Sequence, residues 1–257
     1  MISSALEAVA VLLAGVAAGT INAVVGSGTL VTFPVLLAAG LPPVTANVSN
    51  NLGLVPGSLS AVLGHRRELV GQGRRVLRYG IASLLGSVLG ALLLLRLPAG
   101  AFDAVVPVLV GVGVLLVILG PPLQRRVARR KAERGGTGHE NPWWLWPAVL
   151  GTGVYGGYFG AAQGVILLAM LGIGIADTVQ RLNGVKNALA LVANAVAAVV
   201  FLVVAEEIDW WAVLVIAVGS AIGAQLGSVV ARRLPPVVFR AVIVAVGVVA
   251  IVVLLVT

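Results

Sequence analysis

Two sets of polar residues interrupt an otherwise apolar chain, and each has the spacing of one helix face. Asn47, Asn50, Asn51 and Ser58 align at about 100° per residue, as do Asn183, Lys186, Asn187 and Asn194. Amides donate and accept hydrogen bonds, and an ammonium adds three donors and a positive charge. Lys186 lies eight residues past Thr178. At ~1.5 Å per residue this is about 12 Å into a helix, near the ~15 Å midplane of a bilayer core. Roughly 2.5–3.5 kcal/mol opposes an ammonium at that depth unless it meets a partner or water. The sequence places no acidic residue there: Asp177 is near the helix start and the other carboxylates fall in loops or near element ends. A bound anion would supply the missing charge. Bonding to backbone carbonyls, or reaching to the interface, is the alternative.

Two glycine breaks stand upstream of the polar faces, Gly26-Ser27-Gly28 and Gly160-Ala161-Ala162-Gln163-Gly164. Each precedes a short apolar element of about half a bilayer. Irregular backbone at that depth is tolerated where it is buried in protein or lines a cavity. A helix starting after each break would aim backbone N–H groups and a positive dipole end into the cavity, which suits an anion. The candidate binding set is therefore Lys186, Asn47, Asn50, Asn51, Asn183 and Asn187, joined at the breaks by Gly28, Thr29, Gln163 and Gly164. Ser27, Thr29 and Gln163 could equally satisfy free backbone groups, and any single asparagine could simply bond a neighbouring helix.

The elements that position these residues belong in a bilayer. Of 257 residues 60% are hydrophobic and 10% charged, with a mean hydropathy of +1.09, too little polar surface for a soluble globule. Apolar runs approach the ~20 residues of a spanning helix and lack strict alternation, so the predicted class is an all-α polytopic bundle. The start of the chain has Glu7 and no basic stretch, so a cleaved signal peptide is not expected.

The chain is written twice. Gly86 to Phe102 and Gly223 to Phe239 share G-x-x-L-G-x-x-x-x-x-R-L-P-x-x-x-F, and at an offset of 136 Gly28 meets Gly164 and Asn47 meets Asn183. Each half resolves into five elements: Ala5 to Val25, Thr29 to Ala39, Val44 to Leu63, Leu77 to Leu95 and Phe102 to Leu119, then Trp144 to Phe159, Val165 to Ile175, Thr178 to Val204, Trp210 to Ala231 and Val237 to Val256. The predicted division is 1–122, a hydrophilic and mobile linker at 123–142, and 143–257.

Charge orients the halves. Of the 17 basic residues, 14 fall in three connections, around Arg66 to Arg78, Arg125 to Arg134 and Arg232 to Arg240. By the positive-inside rule these connections are cytoplasmic, which accounts for the net charge of +8 without nucleic acid and leaves a surface for anionic membrane lipids. The loop Glu206-Glu207-Ile208-Asp209 is the acidic counterpart of the first basic loop, so equivalent loops lie on opposite sides. This predicts inverted repeats in the cell membrane, with both termini outside and the linker in the cytoplasm. Arg96 is discordant. Like Arg233 at the equivalent position, it reads as a structural cap.

Gly15-x-x-x-Gly19, Gly86-x-x-x-Gly90, Gly153-x-x-x-Gly157 and Gly223-x-x-x-Gly227 predict close helix pairs. Trp143, Trp144, Trp146, Trp210 and Trp211 read as interfacial anchors. His65 and His139 lie in or beside basic loops, and no proton relay is expected of them. Asp177 and Arg181 are close enough to share a cytoplasmic gate or proton path. With no cysteine, no nucleophile–base pair, and no carboxylate or histidine group at metal-ligand spacing, neither an enzyme nor a cofactor or metal site is expected.

The run Ile21-Asn22-Ala23-Val24-Val25-Gly26-Ser27-Gly28-Thr29-Leu30-Val31-Thr32-Phe33-Pro34, with Ala46-Asn47-Val48-Ser49-Asn50-Asn51, resembles the sulfite exporter TauE/SafE family. Tyr155 to Gly164 and Leu182-Asn183-Gly184-Val185-Lys186-Asn187 resemble it in the second half. The resemblance implies a multi-pass permease for sulfur-containing anions such as sulfite, sulfonates or thiosulfate. The family's longer glycine run is shortened here, and Met170 stands where the first copy has Pro34. The resulting expectation is a secondary transporter of a small anion by alternating access. A passive anion channel and a non-transporting scaffold or sensor are the alternatives, and coupling to a proton or sodium ion and the oligomeric state are left open.

Overall fold

A computed structural model describes residues 5–133, 142–230, 241, 243–245 and 248. Nine helices follow one another among them: α1 (Ala5–Val24), α2 (Thr29–Ala38), α3 (Pro43–Gly64), α4 (Gly73–Arg96), α5 (Ala99–Glu133), α6 (Leu145–Tyr158), α7 (Gln163–Gly174), α8 (Val179–Val204) and α9 (Trp210–Val230). Local sequence explains several starts. Pro42-Pro43 opens α3 with proline at the first helical positions, and Thr178 caps α8 by accepting from the Arg181 N–H at 3.3 Å. Asp209 does the same for α9, accepting from the Ala212 N–H at 2.9 Å.

Four helices, α1, α4, α8 and α9, are long and apolar enough to cross a membrane. α3 has the length, but Asn47, Ser49, Asn50, Asn51, Ser58 and Ser60 lower its hydropathy. α2 and α7, with 10 and 12 residues, reach about half a bilayer. The polarity of the fold is inside-out. α8 turns Val199 and Val203 outward, 60% and 79% exposed, and encloses Lys186 completely. This is the pattern of a multi-pass membrane protein, which presents apolar side chains to lipid.

Nine of the ten predicted elements are present, eight of them with ends shifted by a few residues. The fifth is longer: α5 runs on as helix to Glu133, into the stretch predicted as linker. Arg, Ala, Lys and Glu in that stretch are all good helix formers. The remaining linker positions, 134–141, and most of the tenth element, Val237 to Val256, lie outside the described residues, as does Arg233.

The small-residue motifs make two tight helix pairs. Gly15 and Gly19 of α1 sit against Ile216, Gly219 and Ser220 of α9, and Gly223 of α9 against Val16. In the same way Gly86 and Gly90 of α4 meet Leu150 and Val154 of α6, and Gly157 meets Ser87. A Cβ on Gly90 would lie 2.0 Å from the Val154 carbonyl oxygen, and one on Gly223 equally close to that of Val16, so the backbones touch only because the side chains are absent.

The packing repeats as the sequence does. α1 lies on α9 and α6 on α4; α3 on α9 and α8 on α4; α2 on α3 and α7 on α8; α3 and α8 meet each other. Advancing each label by five in a ten-element count converts the first six pairs into one another and α3–α8 into itself. α3 and α8 run antiparallel: Thr45 reaches Glu207 at one end, Ser58 meets Asn194 in the middle, and His65 meets Asn183 at the other. Phe33 of α2, Phe102 of α5 and Phe159 beyond α6 pack edge-to-face, with centroids 5.2–6.5 Å apart, and join the halves beside the short helices.

Candidate functional site

The two glycine breaks meet back to back at the centre of the fold. Gly26, at φ +88°, lies so near Gly164 that a Cβ on it would be 2.4 Å from the Gly164 Cα, and the reverse substitution would come within 2.5 Å. The Gly164 N–H donates to the Gly26 carbonyl at 3.0 Å. Ala162, which occupies the position of Gly26 in the second copy, also has a left-handed backbone, φ +60°.

α1 stops short of this crossing, and its last carbonyls need donors. α8 supplies them. Lys186 Nζ donates to the Asn22 carbonyl at 2.9 Å, and Asn183 and Asn187 donate to that of Ala23 at 3.1 and 3.4 Å. The ammonium thereby faces the negative end of the α1 dipole. The opposite half repeats the device, with Asn47 of α3 donating to the carbonyl of Tyr158, the last residue of α6, at 2.9 Å. Each polar helix thus caps the broken helix of the other half. The carbonyl-bonding alternative for Lys186 is therefore realised through one of its three donors.

Asn22 links the two sides of the first break. Its backbone receives Lys186 while its side-chain Oδ1 accepts from the Gly28 N–H at 2.6 Å. The Gly28 and Gly164 amides, expected to face a ligand, are both engaged within the protein in this conformation.

A cavity of about 30 Å³ lies between the crossing and the polar helices. Of the predicted residues Thr29, Gln163, Gly164, Lys186 and Asn187 line it, together with Asn22, Gly26, Ser58 and Asn194. Asn47, Asn50, Asn51, Asn183 and Gly28 do not. Asn50 bonds Thr29 and Thr32, holding α3 to α2, and the Oδ1 of Asn51 is buried without a hydrogen-bond partner. Ser58 and Asn194 belonged to the polar faces but not to the predicted set. Asn22 was hidden in an apolar run, and its one signal was an amide just ahead of a glycine break.

The cavity lining carries one cation and no carboxylate. Among the described residues no carboxylate lies within ion-pair distance of Lys186, and the Gln163 Nε2 is buried with no hydrogen-bond partner. Gly156 leaves room for that amide, since a Cβ there would come within 2.3 Å of it.

Both ends of α3 and α8 are tied. At one end Ser49 Oγ accepts from the Asp209 N–H at 2.9 Å. At the other, Asp177 holds Arg75 at 2.8 Å and Arg181 at 3.1 Å, Gln72 donates to it at 3.1 Å, and Arg181 reaches the Val70 carbonyl at 3.2 Å. Partial burial alone would raise the Asp177 pKa, but hydrogen bonds from Arg75, the Thr178 N–H, Gln72 and Arg181 outweigh it and bring it down to about 2. His65 does not project into the loop. Its ring lies against Asn183 and Asn187 of α8. His139 lies outside the described residues.

Residues 11–254 match the sequence model of the family described as Sulfite exporter TauE/SafE. The chain is 28% identical over 221 residues to the probable membrane transporter protein YfcA of Escherichia coli K12, covering 82% of this chain and 76% of the relative. A probable membrane transporter protein of Haemophilus influenzae is 27% identical over 220 residues, 83% of this chain and 81% of the relative. The probable membrane transporter protein ORF9 of a Sinorhizobium species is 36% identical over 92 residues, about a third of each chain. No solved structure matches the chain significantly.

Proposed function

Because the chain belongs to the sulfite exporter TauE/SafE family, we propose that this membrane transporter carries a small anion, a sulfur oxyanion or organosulfonate, by alternating access between two inverted halves. The observation that carries the reading is Lys186: a fully buried ammonium on the wall of a cavity whose other polar side chains are neutral amides and hydroxyls. Its remaining donors neutralise and orient the substrate, the free Gln163 amide and Asn187 add hydrogen bonds, and Thr29 and Asn194 complete the wall. Asn47, Asn50, Asn51 and Asn183 act one step back, by fixing the helix ends that shape the cavity. Gly28 and Gly164 take part through the turns that they form.

A carrier suits the geometry better than an open channel. About 30 Å³ holds water rather than a sulfur oxyanion, and both ends of the α3–α8 pair are tied, so this is a closed conformation whose halves must separate to admit substrate. The antiparallel α3 and α8 and the opposed charges of the equivalent loops support inversion, with both chain ends outside and the basic loops in the cytoplasm.

Counterflow in proteoliposomes tests the reading. Vesicles loaded with sulfite, thiosulfate, methanesulfonate or taurine should accelerate uptake of the labelled species, and acetate or lactate should not. Flux without any stimulation from the opposite side would indicate a channel, and exchange restricted to carboxylates would remove the substrate class.

A further inference from the structure

The ends of α3 and α9 converge at Gly64, where an added Cβ would lie 2.7 Å from that of Ser228. Hydrogen bonds knit the two helices together beside this contact. Gln225 Nε2 donates to the Ser60 hydroxyl at 2.9 Å and to the Ser60 carbonyl at 3.3 Å, and Ser60 Oγ donates to the Ala221 carbonyl at 2.9 Å. Ser228 Oγ donates to the Gln225 carbonyl at 2.8 Å. The loop that follows α3 brings Arg66 and Arg67 to the same place, and with Gln225 and Ser228 they line a pocket of about 450 Å³.

With the Gln225 amide and the Ser228 hydroxyl engaged, the arginines are the uncommitted side-chain donors of this pocket. Both are exposed, and among the described residues neither guanidinium has a hydrogen bond or an ion pair. Elsewhere in the same basic connection Arg75 is held by Asp177 at 2.8 Å, and Arg78 lies over the Tyr79 ring. No carboxylate lines the pocket, and Glu68, next in the chain, packs on Gly184 of α8. Guanidinium forks without a protein counter-ion match the oxygens of a phosphate.

The rest of the lining is apolar and faces outward. Leu63 and Val229 are 52% and 62% exposed, and Val229 closes the membrane-crossing stretch of α9. The pocket therefore lies where hydrocarbon gives way to headgroups, and it joins a cationic wall to a lipophilic one. A free phosphate would use only the first; a phospholipid uses both. Without a carboxylate in the lining, the ammonium of a zwitterionic headgroup finds no partner, so the complementary lipid carries net negative charge.

We propose that this pocket binds an anionic phospholipid, whose phosphate is held by Arg66 and Arg67 and whose acyl chains run along Leu63 and Val229. With the basic loops in the cytoplasm, the lipid belongs to the inner leaflet. Bound there, it bridges the α3–α4 loop to α9 and reinforces the packing of the two helices. The site is separate from the cavity around Lys186 and stands whether or not that cavity carries an anion.

A phosphatidylglycerol with a fluorescent acyl chain is titrated against the full chain in a neutral detergent. Combining Arg66→Gln with Arg67→Gln should raise the dissociation constant by about thirtyfold, roughly fivefold for each arginine near a membrane surface. Combining Arg74→Gln with Arg78→Gln removes the same charge from the same connection outside the pocket and should leave the constant nearly unchanged. Equal losses in the two double variants would mean diffuse attraction to the basic surface and overturn the site, as would an unaltered constant in the first. Val229→Glu leaves both arginines in place and sets a carboxylate in the lining; it should weaken binding too, and unchanged affinity there overturns the proposal. Competition separates the sources of phosphate. Unlabelled phosphatidylglycerol should displace the probe, whereas phosphatidylcholine should do so weakly and soluble glycerol phosphate at the same concentration should not. Equal displacement by either of these would overturn the assignment to an anionic lipid. No readout here involves transport, so the lipid site and the transport reading fail independently.

Discussion

Asn194 donates a 2.9 Å hydrogen bond to Ser58, and the two residues are separated by 136 positions, the same offset at which Gly28 meets Gly164 and Asn47 meets Asn183 in the sequence. Both residues line the cavity, so a change in the packing of α3 on α8 changes the cavity directly.

Removing that contact should loosen the fold modestly. Ser58→Ala or Asn194→Ala should each lower stability by about 0.6 kcal/mol, and by no more than about 1.7 kcal/mol, the range of hydrogen bonds between membrane helices. The double variant should lose little more than either single one, because both delete the same bond. Unfolding in detergent with circular dichroism as readout checks this; fully additive losses would show that the pair does not act as a unit.

The crossing of the glycine breaks should be much less tolerant. Gly164→Ala places a methyl group 2.5 Å from the Gly26 Cα, and Gly26→Ala adds a left-handed backbone to a similar clash. Each should reduce stability by about 1–3 kcal/mol or more. Gly80→Ala, in the middle of α4 with nothing within 4 Å of the added carbon, is the matched control and should gain up to about 1 kcal/mol. The order of melting temperatures decides.

The Asp177 fastening should be indifferent to physiological pH. Its pKa is lowered from 3.8 to about 2, so its contribution to stability is fully present above about pH 4 and disappears as pH falls toward 2. Between about pH 5 and 9, Asp177→Asn should therefore destabilise by a constant amount, and pairing Asp177→Arg with Arg75→Asp should restore part of the loss. A stability difference that varies across that range would contradict the lowered Asp177 pKa.

Much of the arrangement was legible in the sequence because apolar length, glycine spacing and loop charge are local signals. The ends of α1 to α4 and α6 to α9, and the small-residue faces of the α1–α9 and α4–α6 pairs, follow from them. The destinations of polar hydrogen bonds were not legible, since they depend on which helices meet. Asn183 and Lys186 show a polar face in sequence, yet only the fold reveals that this face caps α1. Asn22 and His65 were missed for the same reason: one lies in an apolar run and the other beside arginines, and their partners on α8 are more than a hundred residues away. The length of α5 escaped because charge marks a segment as hydrophilic without ending a helix.

Transport by Lys186→Ala tests the central claim most directly. The variant should insert and retain its helical content, since the residue is removed together with its charge, while counterflow of a sulfur oxyanion falls to the level of empty vesicles. Wild-type counterflow in that variant would contradict the account, because the buried ammonium would then have no part in carrying the anion.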